Sequence, residues 1–169
     1  PWTIPANKAL AYNENLDYSL IEVFDDGDFK DKKIVVAEAL LDSVINECKI
    51  KNFKKLKKFK GKSFQNTICK HPFFKLGYDF DIPMLEAHFV TTDQGTGIVH
   101  CAPSHGPDDF NLCLNNGIKA IETVDGDGKY TQDVSLFEGI HIFKANPIVI
   151  EKLKDCLLYT SPSPRDPWK

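Results

Sequence analysis

The side chains best able to do chemistry fall in one stretch, Gly95-Thr96-Gly97-Ile98-Val99-His100-Cys101-Ala102-Pro103-Ser104-His105-Gly106-Pro107-Asp108-Asp109-Phe110. It carries two imidazoles, a thiol and two adjacent carboxylates, and its glycines let backbone approach a ligand closely. An aspartate at a helix start can hold a cationic group while backbone N–H groups stabilise its own charge. Several readings of these residues compete. The two histidines and two aspartates could bind a metal, although His100 and His105 stand five apart across Pro103 and no further ligand cluster supports them. Cys101 with His105 could be a nucleophile and its base, although a thiol next to a histidine in a strand points to the opposite face. The loop could be structural, with His100 a satisfied core histidine and Asp108 a cap. The last reading is a site that binds a ligand.

Such a stretch needs elements to position it. Leu10–Tyr12 and Tyr18–Phe24 alternate and read as strands, with the turn formers Asp25-Asp26-Gly27-Asp28 after the second. From Val36 to Cys48 the apolar residues Ala37, Leu40, Leu41, Val44, Ile45 and Cys48 recur at helical spacing, which predicts one amphipathic helix. Lys49–Lys62 holds eight lysines interleaved with Phe53, Leu56 and Phe59, as if one apolar stripe packs while lysines face solvent. Met84–Val90 and Gly97–Cys101 read as strands, separated by the turn-forming run Thr91-Thr92-Asp93-Gln94-Gly95-Thr96. A short helix is expected over Asp108–Asn116, with Pro107 suited to its first turn and Asp108-Asp109 matched to its dipole. Asp125-Gly126-Asp127-Gly128 is a turn, Ile140–Phe143 a further short strand, and Asn146 the expected cap of a last helix through Leu153. Many short strands with three modest helices and no repeat predict an α+β domain on a twisted, barrel-like mixed β-sheet with a few flanking helices.

The chain of 169 residues, 42% hydrophobic, is of single-domain size. A formal net charge of −3 gives no global attraction to nucleic acid, so any RNA contact requires a local basic patch. Five widely spaced cysteines without a C-x-x-C pair argue against a zinc knuckle or a disulfide framework, and for reduced thiols in a cytoplasmic setting. No apolar run approaches the roughly 20 residues of a membrane span. Pro1-Trp2-Thr3-Ile4-Pro5 is neither an initiator segment nor a signal peptide, so the chain is expected to start inside a longer protein. Residues from about Cys156 onward resemble a translated sequencing-library adapter more than a Ser/Pro-rich linker. They are expected to form a non-native tail, 156–169, after a domain of residues 1–155.

Two segments, Pro1-Trp2-Thr3-Ile4-Pro5-Ala6-Asn7 and Gly95 to Phe110, resemble the signature segments of the editing domain of bacterial-type isoleucyl-tRNA synthetases. Lys70-His71-Pro72-Phe73 and the run from Phe137-Glu138-Gly139 to Phe143-Lys144-Ala145-Asn146 fit the same family in the same order. The resemblance covers residues 1 to about 155. It implies a domain inserted in a Rossmann-type catalytic core that hydrolyses valine wrongly esterified to tRNA(Ile). The need for it is physical: one methylene is worth only about 1–3 kcal/mol in a hydrophobic pocket, a limit for which this synthetase is itself the standard worked case.

The resemblance also implies roles. Asp109 matches the carboxylate that pairs with the substrate's α-ammonium group. His100 matches a pocket histidine, open between a size sieve and an acid/base role, and Trp2 an aromatic near the adenosine end. Thr92, Asp93, Gly95 and Thr96, before the strand, and His105 and Asp108, after it, are further candidates for the substrate pocket. Lys54, Lys57 and Lys58 are candidates for tRNA phosphates. No metal or cofactor is expected in this domain, since the parent's ATP and Mg2+ serve ligation. The expected partners are the acceptor end of mischarged tRNA(Ile) and the catalytic core of the same chain, with a monomeric parent. The family places a run of threonines before the Pro-Trp pair, and this sequence begins at Pro1.

Overall fold

The computed structural model describes residues 1–26 and 29–156. The turn expected at Asp25-Asp26-Gly27-Asp28 lies partly outside them, and the expected tail lies outside them beyond Cys156. The chain forms two compact units. The first comprises Pro1–Ala11, Asn66–Leu85 and the residues from His100 to the end of the last helix; the second comprises Tyr12–Gln65 and Glu86–Val99.

The first unit is built on a four-stranded sheet in the order β5-β6-β1-β7, with β1 at Ala9–Tyr12, β5 at Ile68–Lys70, β6 at Asp81–Glu86 and β7 at Val99–Cys101. β5 and β6 pair antiparallel, with Cys69 opposite Ile82. Two helices belong to it, α2 at Pro107–Asn115 and α3 at Ile142–Asp155. Its core is aromatic. His71 stacks on Tyr78 with ring centroids 4.3 Å apart, Phe73 packs on Phe137, and Phe137 on Tyr130.

The second unit is a three-stranded antiparallel sheet, order β3-β2-β4, with β2 at Asp17–Val23, β3 at Lys33–Ala37 and β4 at Phe53–Lys60. The short helix α1, Leu41–Glu47, follows β3 through one 3-10 turn at Glu38–Leu40. Ser19, Ile21 and Val23 are fully buried on one face of β2, as strand alternation requires, and Tyr18 on its other face and Val36 on β3 are fully buried as well.

The expected α+β class forms, with the described strands in two sheets and no closed barrel among them. The amphipathic helix expected from Val36 starts later, because Val36 and Ala37 pair with Ser19 and Tyr18 as the end of β3. Ladder pairing with a buried neighbour overrides a helical spacing that those two residues fitted by coincidence. The expected strands over Met84–Val90 and Gly97–Cys101 are displaced or trimmed, to Asp81–Glu86 and Val99–Cys101. Ile140–Phe143 is not a strand. His141 makes a single bridge to Lys129 and then caps α3 by accepting the Phe143 N–H at 3.3 Å. Asn146, expected as that cap, lies inside the helix one residue before Pro147.

The stripe Phe53, Leu56, Phe59 packs only at Phe59, which lies 6.2 Å from Tyr18 and 5.3 Å from Phe64 between ring centroids. A β-bulge explains the rest: Leu20 opposes Lys57 and Ile21 opposes Lys55, so Leu56 is the extra residue and points out of the register. Leu56 and Phe53 stay more than a third exposed.

Candidate functional site

β7 delivers the site residues by ordinary strand alternation. Cys101 is fully buried on one side, while His100 faces the other and is half-buried. After it the chain turns, with the His105 N–H donating to the Ala102 carbonyl at 2.9 Å, and enters α2 with Gly106 as its N-cap and Pro107 in its first turn. Gly106 offers no side chain to cap the helix. Instead Asp109, in the first turn of the helix, reaches back so that its Oδ2 accepts the Ala102 N–H at 2.8 Å. A Cβ at Gly106 would sit 3.3 Å from the Asp109 carboxyl carbon, so glycine leaves that carboxylate its room.

A second strip, Trp2 to Asn7, closes on the same residues. The Thr3 hydroxyl lies 2.9 Å from His100 Nε2, and Asn7 Oδ1 lies 3.0 Å from His100 Nδ1. An amide oxygen accepts, so Nδ1–H is the donor to Asn7 and Nε2 accepts from Thr3. The Trp2 ring meets His105 edge-on, centroids 4.7 Å apart, and His105 Nε2 lies 2.7 Å from the hydroxyl of buried Thr123.

The electrostatics follow from this packing. Burial holds the His100 imidazolium below its ordinary range, against the pull of the Asp109 charge in the opposite direction. His105 is lowered by burial in the same way, and Asp109 again opposes. The Cys101 thiol is pushed up to about 12, first by burial and then by Asp109, which leaves it no thiolate to act as a nucleophile. The result is one carboxylate near two neutral imidazoles at the positive end of a helix dipole. A carboxylate at that position can receive an organic cation. Among the described residues no group of three or more His, Cys, Asp or Glu is placed to hold a metal ion.

The first unit thus brings together Trp2, His100, His105 and Asp109, with Asp108 exposed beside them in the first turn of α2. Thr92, Asp93, Gly95 and Thr96 belong to the second unit. There the Thr96 carbonyl accepts the Ala37 N–H at 2.8 Å, and Gly97 accepts the Tyr18 hydroxyl at 2.7 Å, so this part of the run is tied to the end of β3. Of the candidate lysines on β4, Lys58 lies 3.5 Å from Asp17, whereas Lys54 and Lys57 make no ion pair among the described residues. Lys55 is paired with Glu38 at 2.6 Å and Lys60 with Asp17 at 3.0 Å. β4 is also an edge strand, where lysines hinder pairing with another chain.

Sequence reasoning did not assign roles to Thr3, Asn7 or Thr123. Nothing local marks them, since Asn7 and Thr3 meet His100 across 93 and 97 residues.

Solved structures share the fold. The chain superposes on the crystal structure of GlLeuRS-CP1 with a TM-score of 0.65, covering 96% of this chain and 80% of that one at 14% identity. It superposes on the P.falciparum cytosolic leucyl-tRNA synthetase editing domain with a TM-score of 0.51 at 18% identity, covering 96% of this chain and 50% of the other. The mixed α+β fold is similar to that of these two structures, the second of which is a leucyl-tRNA synthetase editing domain. The sequence is specific: it is 79% identical over 155 residues to the isoleucine--tRNA ligase of Pelagibacter ubique (strain HTCC1062), and 42% identical over 159 residues to that of Gluconobacter oxydans (strain 621H). Each alignment covers 92% of this chain. The chain belongs, over that segment, to the isoleucine--tRNA ligase family. It spans 17% of the length of these curated relatives. No family model matches it. No helix among the described residues is long and apolar enough to cross a membrane.

Proposed function

We propose that the chain is an editing domain that hydrolyses the ester of valine wrongly attached to tRNA(Ile). The carrying observation is the Asp109 carboxylate. One oxygen is fixed by the Ala102 N–H at the start of α2, and its charge acts on both His100 and His105, whose burial keeps them neutral. A carboxylate so held is a receptor for an α-ammonium group. In the reaction, water attacks the ester carbonyl, the bond to the ribose oxygen breaks, and that oxygen leaves with a proton as the free hydroxyl. Positioning carries most of the catalysis. His100 acts here as a wall of the pocket rather than a base, because its acceptor nitrogen is already engaged by Thr3 and its donor by Asn7. Trp2 and His105 extend that wall, and Asp108 adds negative charge at the same helix start. The acceptor end of tRNA(Ile) and the ligase catalytic core are the partners this reading requires.

The test is Asp109→Asn, with this chain replacing the aligned stretch of the Pelagibacter ubique ligase. The variant keeps an oxygen for the Ala102 N–H and loses the charge, so the fold should persist while Val-tRNA(Ile) deacylation falls. Loss of one charge-assisted hydrogen bond, roughly 1.5–3 kcal/mol, corresponds to about 10- to 100-fold. Undiminished deacylation by the variant would remove Asp109 from the role. A tRNA-docking module without catalysis is the second reading, favoured by the exposed Lys54 and Lys57; it requires that the unsubstituted chimera bind tRNA and leave the ester intact.

A further inference from the structure

The strip that carries Trp2 and Thr3 is held by three side chains that touch none of the site residues' functional atoms. The Trp2 N–H donates to Asn146 Oδ1 of α3 at 2.9 Å. The Trp2 carbonyl accepts the hydroxyl of Tyr130, a residue 1% exposed. Two residues on, the Ile4 carbonyl lies 3.1 Å from Nε2 of buried His71 and accepts its proton, since Nδ1 is engaged as acceptor by the Phe73 N–H. These three groups come from two stretches of the first unit, His71 from one and Tyr130 and Asn146 from the other, and each binds backbone, not side chain. Backbone in a 3-10 turn of three residues, Ile4–Ala6, fixes little by itself. Yet Trp2 must meet His105 and Thr3 must meet His100 for both histidines to hold their places.

We propose that Tyr130, Asn146 and His71 form a three-point clamp whose task is to position the Trp2–Thr3 strip against the site. They are positioning residues, acting on substrate only through Trp2, Thr3 and the histidines these contact. The Tyr130 hydroxyl and the Asn146 amide grip the two polar backbone groups of one residue, Trp2, and so fix the peptide planes on either side of it. His71 fixes the far end at Ile4. This reading rests on the proposed editing reaction, because positioning is measured there as rate.

The experiment uses Tyr130→Phe, Asn146→Ala and Asn146→Asp in the same chimera, with deacylation of Val-tRNA(Ile) resolved into kcat and KM. Tyr130→Phe keeps the ring that packs on Phe137 and removes only the donor; Asn146→Asp keeps an acceptor for the Trp2 N–H. The expected result is a fall in kcat of about 10- to 100-fold for Tyr130→Phe and Asn146→Ala, with KM within about twofold, since a misplacement near 1 Å at a site costs rate on that scale. Asn146→Asp should recover most of it, and thermal midpoints should not order the variants by activity. Wild-type kcat in both deleted variants overturns the clamp, and so does a loss that follows the thermal midpoint and is equal in Asn146→Ala and Asn146→Asp. A separate readout does not depend on the reaction. In the 169-residue chain with Trp168→Phe, Trp2 is the one remaining tryptophan, and acrylamide should quench it more strongly once Tyr130 or Asn146 is deleted. If the unsubstituted chimera cleaves no ester, the editing reading fails while quenching still judges the clamp; unchanged quenching in both variants then overturns it.

Discussion

His71 makes the fold sensitive to acid in a way that can be computed. Its ring is 2% exposed, stacked 15° from parallel on Tyr78 and flanked by Phe73 and Phe80. Both nitrogens are committed, Nε2–H to the Ile4 carbonyl and Nδ1 to the Phe73 N–H. A second proton has to enter at Nδ1, where it breaks the bond from Phe73 and places a charge among aromatic rings. Burial is the main cause that lowers its pKa to about 4; the carbonyl of Ile4 opposes that, while the charges of Lys8 and His100 add to it. The unfolded value is about 6.5. A histidine depressed in the folded state contributes stability that is present in full above pH about 6.5 and is lost as pH falls toward the folded value. At about 1.4 kcal/mol per unit, a gap of roughly two and a half units amounts to about 3 kcal/mol at most between pH 7 and pH 4. The slope cannot exceed about 1.4 kcal/mol per pH unit for one proton. The assay is a proton NMR titration of the five histidine ring signals, assigned by single substitution, together with thermal unfolding from pH 7 to pH 4. His71 should titrate last or not before the first unit unfolds. A ring signal assigned to His71 with a midpoint near 6.5 in the folded chain would refute the argument, as would an acid profile unchanged in His71→Gln.

Two further outcomes follow from geometry. Gly97→Ala places a Cβ 2.4 Å from Ala37 Cβ at a φ of 76°, so the left-handed penalty of about 1–2 kcal/mol adds to overpacking of about 1–3 kcal/mol; the second unit should melt several degrees lower, and an unchanged midpoint would show that the loop relaxes. Charge reversal of Lys54, Lys57 and Lys58 together should weaken binding of tRNA at low salt and flatten its salt dependence, with most of the effect from Lys54 and Lys57, since Lys58 already faces Asp17 at 3.5 Å. Equal affinity and equal salt slope in a filter-binding assay would assign these lysines to edge protection alone.

Local physics explains which parts of this architecture could be read from the sequence. The start of α2 was legible because Pro107, Asp108 and Asp109 obey rules that act within one helical turn. The placement of Cys101 on the face opposite His100 was legible from the period of two along a strand. The division into two sheets was not, because it depends on which strands pair, and pairing is decided by partners far apart in the chain. The missed start of α3 has a similar cause. Ile140-His141-Ile142-Phe143 alternates like a strand, but His141 finds a local acceptor role at the helix entrance, and Asn146 is drawn away from capping by Trp2, 144 residues distant.

That last contact changes what the site residues can be asked to do. Read alone, His100 is a titratable group beside a carboxylate and suits an acid or a base equally well. With Asn7 on one nitrogen and Thr3 on the other, it has a single tautomer and no spare lone pair, so proton transfer would first have to break a contact that burial makes expensive to lose. Asp109 is the opposite case: Oδ2 is fixed on the Ala102 N–H, and its charge acts on His100, Cys101 and His105. Under the proposed function, a site so divided has one charged receptor and a neutral wall. Its discrimination then depends on how rigidly the wall stands, and rigidity there is set by Trp2 and Thr3, whose backbone is held by Tyr130, Asn146 and His71. Under that proposal, selection by size and the clamp are one physical requirement, because a wall that yields by the volume of a methylene cannot exclude one.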